Sequence, residues 1–482
     1  MEYKWRVLSN TTVATLMAAL DTNIVLIALP TIGRQLPDTS ATSLLWILLG
    51  YSLVTAVVLL NFGRLSDMFG RVRLYVLGFA IFTIGSLLCG FSQTGSELVA
   101  FRMVQAIGAG FLFSNSAAII TDAFPPNERG RALGINQVSI VVGSVMGLVL
   151  GGIITTTIGW QWIFFVNVPI GAFATIRAHY DLRELQKPQR EQPIDWVGNV
   201  VFAAGLGLVL VAMTFGALGQ WTDLEAGAGL VGGGALIAMF ILIERRERFP
   251  MLDLSLFRNR EFTETGLATF LNALGRGAFI FVMVFYLQGP PTYLSPLTAG
   301  LFLIPVSASL AIMGPLSGIF SDRYGRRWFT VTGLALSGGA FLWLAAIPSA
   351  APFALLLGPF VLLGAGMGLF ASPNRAAMMS AVPPERRGVA SGVGTTLMNT
   401  GATIGLGLTL AIMSTALPIS ALESILLGSQ TSSGPNEAAQ FLAGIHTVFF
   451  VSAALTGAAL VVILWGRGRG TQRSGGVTDG SA

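Results

Sequence analysis

Charge is scarce in this chain. Asp, Glu, Lys and Arg together make up 11% of its 482 residues, whereas soluble domains average about 25%. Apolar runs of about 20 residues, long enough to cross a bilayer, follow one another almost end to end. These features exclude an ordinary soluble domain. They predict an all-α membrane protein, because lipid offers no hydrogen-bond partners to free backbone groups.

Cysteine and histidine are also nearly absent, being limited to Cys89, His179 and His446. A single cysteine excludes a disulfide framework. A metal centre or a membrane-embedded active site would need a cluster of His, Cys, Asp or Glu at one depth. We therefore predict no metal, no cofactor and no enzymatic activity. The net charge of +5 does not indicate nucleic-acid binding, because the basic residues lie between apolar runs rather than on one face.

Fourteen apolar runs are predicted to be transmembrane spans. The first, from about Val7 to Ile32, lacks a signal-peptide cleavage pattern and is predicted to be retained. The spans are 8–32, 42–63, 72–92, 97–122, 132–157, 161–178, 196–217, 227–243, 263–287, 297–318, 329–347, 353–373, 389–415 and 444–465. With these spans, 24 of the 28 Arg and Lys residues lie on one side of the membrane, and Arg34 is alone in a loop on the other side. The positive-inside rule then predicts a multi-pass protein of the cytoplasmic membrane with both termini in the cytoplasm.

A short charged motif occurs twice. The segment from Gly63 to Arg73 recurs as Gly318 to Arg327, 255 positions later, and each copy joins two apolar runs. Two related halves are the organisation of a secondary transporter. The predicted divisions are a six-helix bundle over 1–190, a two-helix insert over 191–250, a second six-helix bundle over 251–465 and a disordered cytoplasmic tail over 466–482.

These motifs resemble the major facilitator superfamily, and within it the fourteen-helix drug:proton antiporters. The resemblance rests on the repeated motif and on four further segments, which are Leu20–Pro30, Arg102–Gly110, Phe165–Gly171 and Ile194–Gly198. It implies the major facilitator fold, with two six-helix bundles plus two extra helices and fourteen transmembrane helices in all. It also implies export of small molecules in exchange for protons.

One segment departs from the family pattern. The antiporter-like motif of the fifth span keeps its glycines, at Gly143, Gly147, Gly151 and Gly152, but Leu148 stands where the family has proline. Proline would bend the helix, whereas glycines permit close helix approach. We expect the packing role of this segment to survive and its antiporter signature to be weakened.

The first copy of the repeated motif predicts a conformational latch. Gly63 and Gly70, and Gly325 in the second copy, suit tight turns between helix ends. Asp67 can pair with Arg71, and the resemblance implies Asp122 as a third member. Such a cluster can form in one conformation and break in another. The alternative is a basic anchor that only fixes topology.

The second copy is predicted to be a weaker latch. It keeps Asp322, Gly325 and Arg326. Ala381, however, stands near the expected place of a partner acid.

Three polar residues within spans are candidates for proton coupling, and Glu264 is a fourth. Asp21 lies in the middle of the first span, where a carboxyl must take up a proton or pair with a cation. Arg102 and Gln105 lie on nearly the same face of the fourth span. Because Arg keeps its charge, Arg102 could tune a carboxyl but not carry the proton. Glu264 is either a second protonatable site or an interfacial carboxylate beside Arg260.

The repeat offset links Asp21 to Arg276, give or take one residue. We hypothesise that these two residues share the cavity and exchange partners during transport. Alternatively, Arg276 makes a polar contact elsewhere in its own span. Asn23, Asn136 and Asn272 are further cavity candidates, although some in-span amides bridge helices instead.

The sequence therefore predicts a proton-coupled secondary transporter that exports lipophilic small molecules by alternating access. Its partners are the substrate, protons and the bilayer, and we expect a monomer that binds no nucleic acid. The substrate can be neutral, zwitterionic, anionic or cationic, because Arg276 offsets the one deep acid, Asp21. A lipid or metabolite carrier on the same scaffold is the alternative. A membrane-embedded enzyme is the remote one.

Overall fold

The computed structural model describes residues 2–125, 128–185, 195–219, 224–247, 250, 252–277, 279–290, 292–383, 386–427 and 435–465. Within these ranges the chain forms seventeen α-helices, one short 3₁₀ helix (Leu254–Arg258) and no strand. The first nine helices are α1 (Tyr3–Gln35), α2 (Ala41–Phe69), α3 (Arg71–Phe91), α4 (Gly95–Ala123), α5 (Arg129–Thr157), α6 (Trp162–Phe165), α7 (Asn167–Asp181), α8 (Trp196–Leu218) and α9 (Leu224–Glu244). The others are α10 (Arg260–Arg276), α11 (Phe279–Gln288), α12 (Pro296–Tyr324), α13 (Arg326–Leu344), α14 (Phe353–Ser380), α15 (Arg387–Ala416), α16 (Ile419–Leu426) and α17 (Pro435–Trp465). The predicted tail, 466–482, lies outside the described residues.

The helices pack as two groups with the same internal arrangement. In the first group, α1 packs on α5, while α2 and α3 both pack on α4. In the second group, α10 packs on α15, while α12 and α13 both pack on α14. These pairs correspond in chain order, which is the arrangement that a duplicated bundle produces.

Helix α8 lies along a seam between the two groups, and α9 lies against α8. They pack on each other, and α8 contacts α2 of the first group and α15 of the second. At one end of α8, the side-chain amide of Asn199 donates a hydrogen bond of 3.3 Å to the backbone carbonyl of Val57 in α2. Farther along α8, Met213 packs against Gly407 of α15.

The two groups meet at the helix ends that lie away from the repeated motif. The carbonyl of Leu148 in α5 packs directly against Gly300 of α12. The side-chain amide of Gln288 in α11 donates a hydrogen bond of 2.9 Å to the backbone carbonyl of Ile27 in α1. Contacts of this kind hold the two groups together at one end of the molecule.

Twelve helices within the described ranges are long and apolar enough to cross a membrane. The fourteen predicted spans are therefore not supported by length and composition. The two that fall short are 161–178 and 329–347. The first is divided into α6, of four residues, and α7, of fifteen. The second corresponds to α13, which has nineteen residues and carries two arginines in its first turn.

A single glycine separates the helices at each copy of the repeated motif. Gly70, between α2 and α3, has a φ of 105°, and Gly325, between α12 and α13, has a φ of 93°. Side chains are strongly disfavoured at such angles, which confirms the predicted tight turns at these two positions. The same prediction was wrong for Gly63, which lies inside α2.

Candidate functional site

Three of the predicted coupling residues meet in one buried cluster. Asp21 of α1 is fully buried, and its Oδ2 lies 2.6 Å from Nη1 of Arg102 in α4. The amide of Gln105, one turn along α4, donates to Asp21 Oδ1 at 2.9 Å. The Gln105 side chain also accepts a hydrogen bond from Arg102 at 2.5 Å. The carboxylate is therefore held by a cation and a neutral amide from the same helix.

Two residues that were not predicted as site residues complete this cluster. Asn167, at the start of α7, donates to Asp21 Oδ1 at 2.8 Å, and Ser86 of α3 accepts a hydrogen bond of 2.7 Å from Gln105. Asn167 lies in a segment that carried the family resemblance, so a signal for it existed. Nothing in the sequence marks Ser86. The cluster, defined as Asp21, Arg102, Gln105, Asn167 and Ser86, joins four helices of the first group.

Aromatic rings surround the charged end of Arg102. Its Cζ lies 4.1 Å from the centre of the Tyr51 ring and 5.8 Å from that of Phe164. Cations are attracted to ring faces at these distances. The guanidinium is 1% exposed, so the rings and Asp21 replace the water that it would otherwise bind.

Both oxygens of the Asp21 carboxylate already accept hydrogen bonds, and the pair with Arg102 is electrically neutral overall. Oδ1 accepts two of these bonds and Oδ2 accepts one, so a proton that binds Oδ2 shares that oxygen with Arg102. Arg102 Nε and Asn167 Oδ1 are buried and have no hydrogen-bond partner among the described residues. The cluster therefore contains an unused donor and an unused acceptor that can serve a second arrangement.

Asp21 and Arg276 are not paired in this structure. Arg276 makes no hydrogen bond or ion pair with any part of the chain that the structure describes. The predicted offset also needs correction. Gly147 of α5 packs on the carbonyl of Leu20 in α1, and Gly405 of α15 packs on that of Leu274 in α10. These equivalent contacts relate α1 to α10 by 254 positions rather than 255.

The corrected register explains why the two side chains face different ways. Asp21 corresponds to Gly275, which faces Thr456 and its neighbours on α17, just as Asp21 faces Asn167 on α7. Arg276 corresponds to Thr22. One residue along a helix is a rotation of about 100°, so Arg276 faces away from the position equivalent to the Asp21 cluster. Exchange of partners between Asp21 and Arg276 stays a prediction.

The other polar candidates have separate environments. Asn136 donates to Thr15 Oγ1 at 3.1 Å and so links α5 to α1. Asn23 donates to the carbonyl of Ala19 in its own helix at 3.0 Å. Both are therefore engaged inside the first group.

Glu264 and Asn272 lie on α10. Glu264 Oε1 is 2.7 Å from Nε of Arg260, the interfacial pair that the sequence offered as an alternative to a second protonatable site. Asn272 is buried but makes no hydrogen bond through its side chain within the described ranges.

The first copy of the repeated motif brings its predicted charges together. Arg71 Nε lies 2.7 Å from Asp67 Oδ1, and Arg71 Nη1 lies 2.8 Å from Asp122 Oδ2. One arginine therefore bridges the end of α2 to the end of α4. Glu184 adds a contact that was not predicted, since its carboxylate accepts the backbone N–H of Arg73 at 3.0 Å.

The second copy uses weaker partners in the contacts that the structure resolves. Arg326 donates to Ser380 Oγ at 2.5 Å and to the carbonyl of Ala376 at 3.2 Å, both in α14. A hydroxyl and a carbonyl thus meet this arginine where Asp122 meets Arg71. The side chain of Asp322 lies outside the described residues.

The asymmetry between the two copies can be measured. We expect Asp122→Asn to destabilise the protein by roughly 1–3 kcal/mol and Ser380→Ala by less, because Asp122 meets Arg71 as a carboxylate whereas Ser380 meets Arg326 as a neutral hydroxyl. Thermal unfolding of the purified protein tests this order. Arg73→Ala is the matched control, since Arg73 is exposed on the same helix end. Equal losses for Asp122→Asn and Ser380→Ala would contradict the asymmetry.

The antiporter-like motif is a packing surface. Gly143, Gly147 and Gly151 of α5 all lie directly against α1, and Gly152 lies against Leu297 of α12. A side chain at any of them would meet backbone or buried side-chain atoms. Helix α5 continues through Leu148 without interruption. The glycines therefore serve both the bundle interior and the contact between bundles.

The chain matches the profile of the Major Facilitator Superfamily over residues 11–245 and 265–480. It is 32% identical over 411 residues to the riboflavin transporter RibZ of Clostridioides difficile, covering 84% of this chain and 87% of that protein. It is also 32% identical over 400 residues to multidrug resistance protein 3 of Bacillus subtilis, covering 81% of this chain and 76% of that protein. A crystal structure of a bacterial homologue of the human lysosomal transporter Spinster has a TM-score of 0.67, with 17% identity and 97% coverage of both chains. That last likeness shows the fold alone.

Proposed function

Because the chain belongs to the major facilitator superfamily, we propose that this multi-pass membrane transporter exports lipophilic small molecules in exchange for protons by alternating access. The observation that carries the proposal is the fully buried pair of Asp21 and Arg102, with Gln105 and Asn167 on the same carboxylate. Relatives named as multidrug resistance proteins support the substrate class. A buried ionisable pair at membrane depth is costly and is characteristic of proton relays.

The cluster offers a way to hold both protonation states. With Asp21 ionised, Arg102 and the two amides all donate to it. When Asp21 takes up a proton it becomes a donor and needs an acceptor. A rotation of the Asn167 side-chain amide by 180° would exchange its nitrogen and oxygen. The oxygen Oδ1, which has no partner in this structure, would then face the protonated carboxyl. Arg102 is then released from its ion pair, and its movement on α4 couples proton uptake to helix rearrangement.

Orientation follows from the distribution of charge. We place the repeated motif and both termini in the cytoplasm, where the positive-inside rule puts the basic segments. The contacts at Gln288 and Leu148 then close the outer end of the interface between the bundles. The structure would in that case be closed to the outside and would receive substrate from the cytoplasm.

Labelling of single cysteines tests the orientation. In a Cys89→Ser background, we expect Arg34→Cys to react with a membrane-impermeant maleimide in intact cells. Arg73→Cys should react only after permeabilisation. The reverse pattern would place the termini outside.

A carrier of metabolites is the second candidate, and one observation favours it. The relative named as a riboflavin transporter aligns over 84% of this chain at the same identity as the multidrug resistance proteins. The same proton cycle would then serve a narrower range of substrates. Transport of a compound panel that includes riboflavin separates the two.

Proton movement during transport is the decisive experiment. Purified protein is reconstituted into liposomes that contain a pH-sensitive dye and are acidified inside. Adding a transported compound outside should raise the internal pH as protons leave in exchange. Empty liposomes and Asp21→Asn liposomes are the controls. Transport of any compound without proton movement would overturn the antiport proposal.

A further inference from the structure

Arg276 is a cation that pairs with no acid among the residues that the structure describes. It ends α10 in the middle of a membrane span that continues through α11. It is partly buried, and the described residues give it no hydrogen bond and no ion pair. A cation at membrane depth is costly unless it pairs or faces an aqueous cavity, and it commonly marks a substrate pathway.

The packing of α10 shows which way this residue faces. Leu274 packs on α15 and Gly275 on α17, so two sides of the helix are covered. Arg276 and Asn272 lie one turn apart on the remaining side. Farther along that side, Thr269 accepts a hydrogen bond of 2.8 Å from Asn374 of α14. The polar face of α10 therefore contacts α14 at Thr269, and Arg276 continues the same face about two turns farther along the helix.

The position of Asn272 is a second observation that favours a ligand site beside Arg276. Its side chain is 4% exposed, yet it makes no hydrogen bond with the described residues. Although the residue is buried, its amide atoms are not enclosed. Asn272 and Arg276 therefore offer an amide and a guanidinium, one turn apart, to a polar group.

No described acid neutralises Arg276. Asp21 is committed to Arg102 in the first bundle, and the corrected register turns it away from the Arg276 face. Glu264 is twelve residues earlier in α10, about 18 Å along the helix axis, and pairs with Arg260. The space beside Arg276 therefore carries a positive charge.

We propose that the transported compounds carry an anionic oxygen group, such as a carboxylate, that binds Arg276 with the Asn272 amide as a second donor. This inference rests on the proposed export function and names the substrate class of its cavity. Arginine suits this role because its planar guanidinium can donate two parallel hydrogen bonds to one carboxylate. Cations are disfavoured at the same position. Export of a monoanion against one entering proton moves two charges per cycle, whereas a neutral compound moves one.

A pair of matched dyes tests the inference. Fluorescein is anionic and rhodamine 6G is cationic, and the two share a xanthene ring system. With protein in lipid nanodiscs, fluorescence polarisation should show tighter binding of fluorescein to the wild type. Arg276→Ala should weaken fluorescein binding by about 30-fold. Arg276→Lys should weaken it less, and Arg276→Glu should reverse the preference. Arg323→Ala, which removes an exposed charge from the same bundle, should leave binding unchanged.

Each result bears on the inference separately from the export function. Failure of fluorescein to bind the wild type, tighter binding of rhodamine 6G, or unchanged binding by a folded Arg276→Ala protein would overturn it. If Arg276→Ala does not fold, the inference is still tested by the preference of the wild type for fluorescein over rhodamine 6G and by the reversal of that preference in Arg276→Glu. Proton exchange in liposomes without any preference for anions overturns this inference alone. A preference that depends on Arg276, without proton movement, overturns the export proposal alone.

Discussion

Asp21→Asn is expected to reduce proton-driven transport by about 100-fold, the scale of losing a positioned proton-transfer group, while substrate exchange without a gradient continues. Asparagine keeps the shape of the side chain, and its single oxygen can still accept a hydrogen bond from Arg102. It cannot bind and release a proton in the functional range. Uptake into vesicles with an imposed pH gradient, compared with exchange at equal pH, measures the two activities separately.

The pH dependence should change in the same variant. Wild-type substrate binding should weaken as the pH falls, because the proton and the substrate compete for alternative arrangements of the protein. Binding by Asp21→Asn should not vary with pH. Asp38→Asn is the control, since it makes the same chemical change in an exposed loop. Retained gradient-driven uptake by Asp21→Asn would remove this carboxyl from the coupling mechanism.

Arg102→Gln should destabilise the protein by about 3–5 kcal/mol, because it leaves a buried carboxylate without its cation. Combining it with Asp21→Asn removes both charges, so the double variant should lose less than the sum of the single variants. The expected coupling energy is about 1.5–3 kcal/mol. Denaturation in mixed micelles measures the unfolding free energy of all four proteins.

A matched pair of the same residue types provides the comparison. Arg177 and Asp181 lie 3.1 Å apart on one helix and are partly exposed. Exposed pairs at this spacing contribute about 0.3–0.5 kcal/mol. A coupling energy between Asp21 and Arg102 as small as this would show that burial adds nothing to their interaction.

Much of the site could be predicted because its residues carry chemistry that membranes rarely tolerate. A carboxyl and an arginine within apolar spans pointed to Asp21 and Arg102. Motif spacing placed Asp67 and Arg71 one helical turn apart. Ser86 could not be predicted, since a serine in a span usually bonds to its own helix, as Ser86 itself also does to the carbonyl of Phe82.

The sequence predictions were wrong where a shift of one residue, or a break at one residue, changes the structure. Sequence offsets locate a repeat to within about one position, and one position on a helix changes the direction of a side chain by about 100°. The contacts of Gly147 and Gly405 were needed to fix the register and to separate Asp21 from Arg276. The span count failed for a similar reason. The break between α6 and α7, at Val166, is marked by Pro169 in the first turn of α7, a helix-start signal that the prediction of one continuous span did not use.

Helix α8 makes the two seams of the molecule unequal. One seam, between α2 and α15, has α8 laid along it and tied to Val57 at one end. The other seam, between α5 and α12, is joined where Leu148 meets Gly300 and has no such cover among the described residues. The interface between the bundles therefore has two directly packed helices, α5 and α12, on one side and an added third helix, α8, on the other.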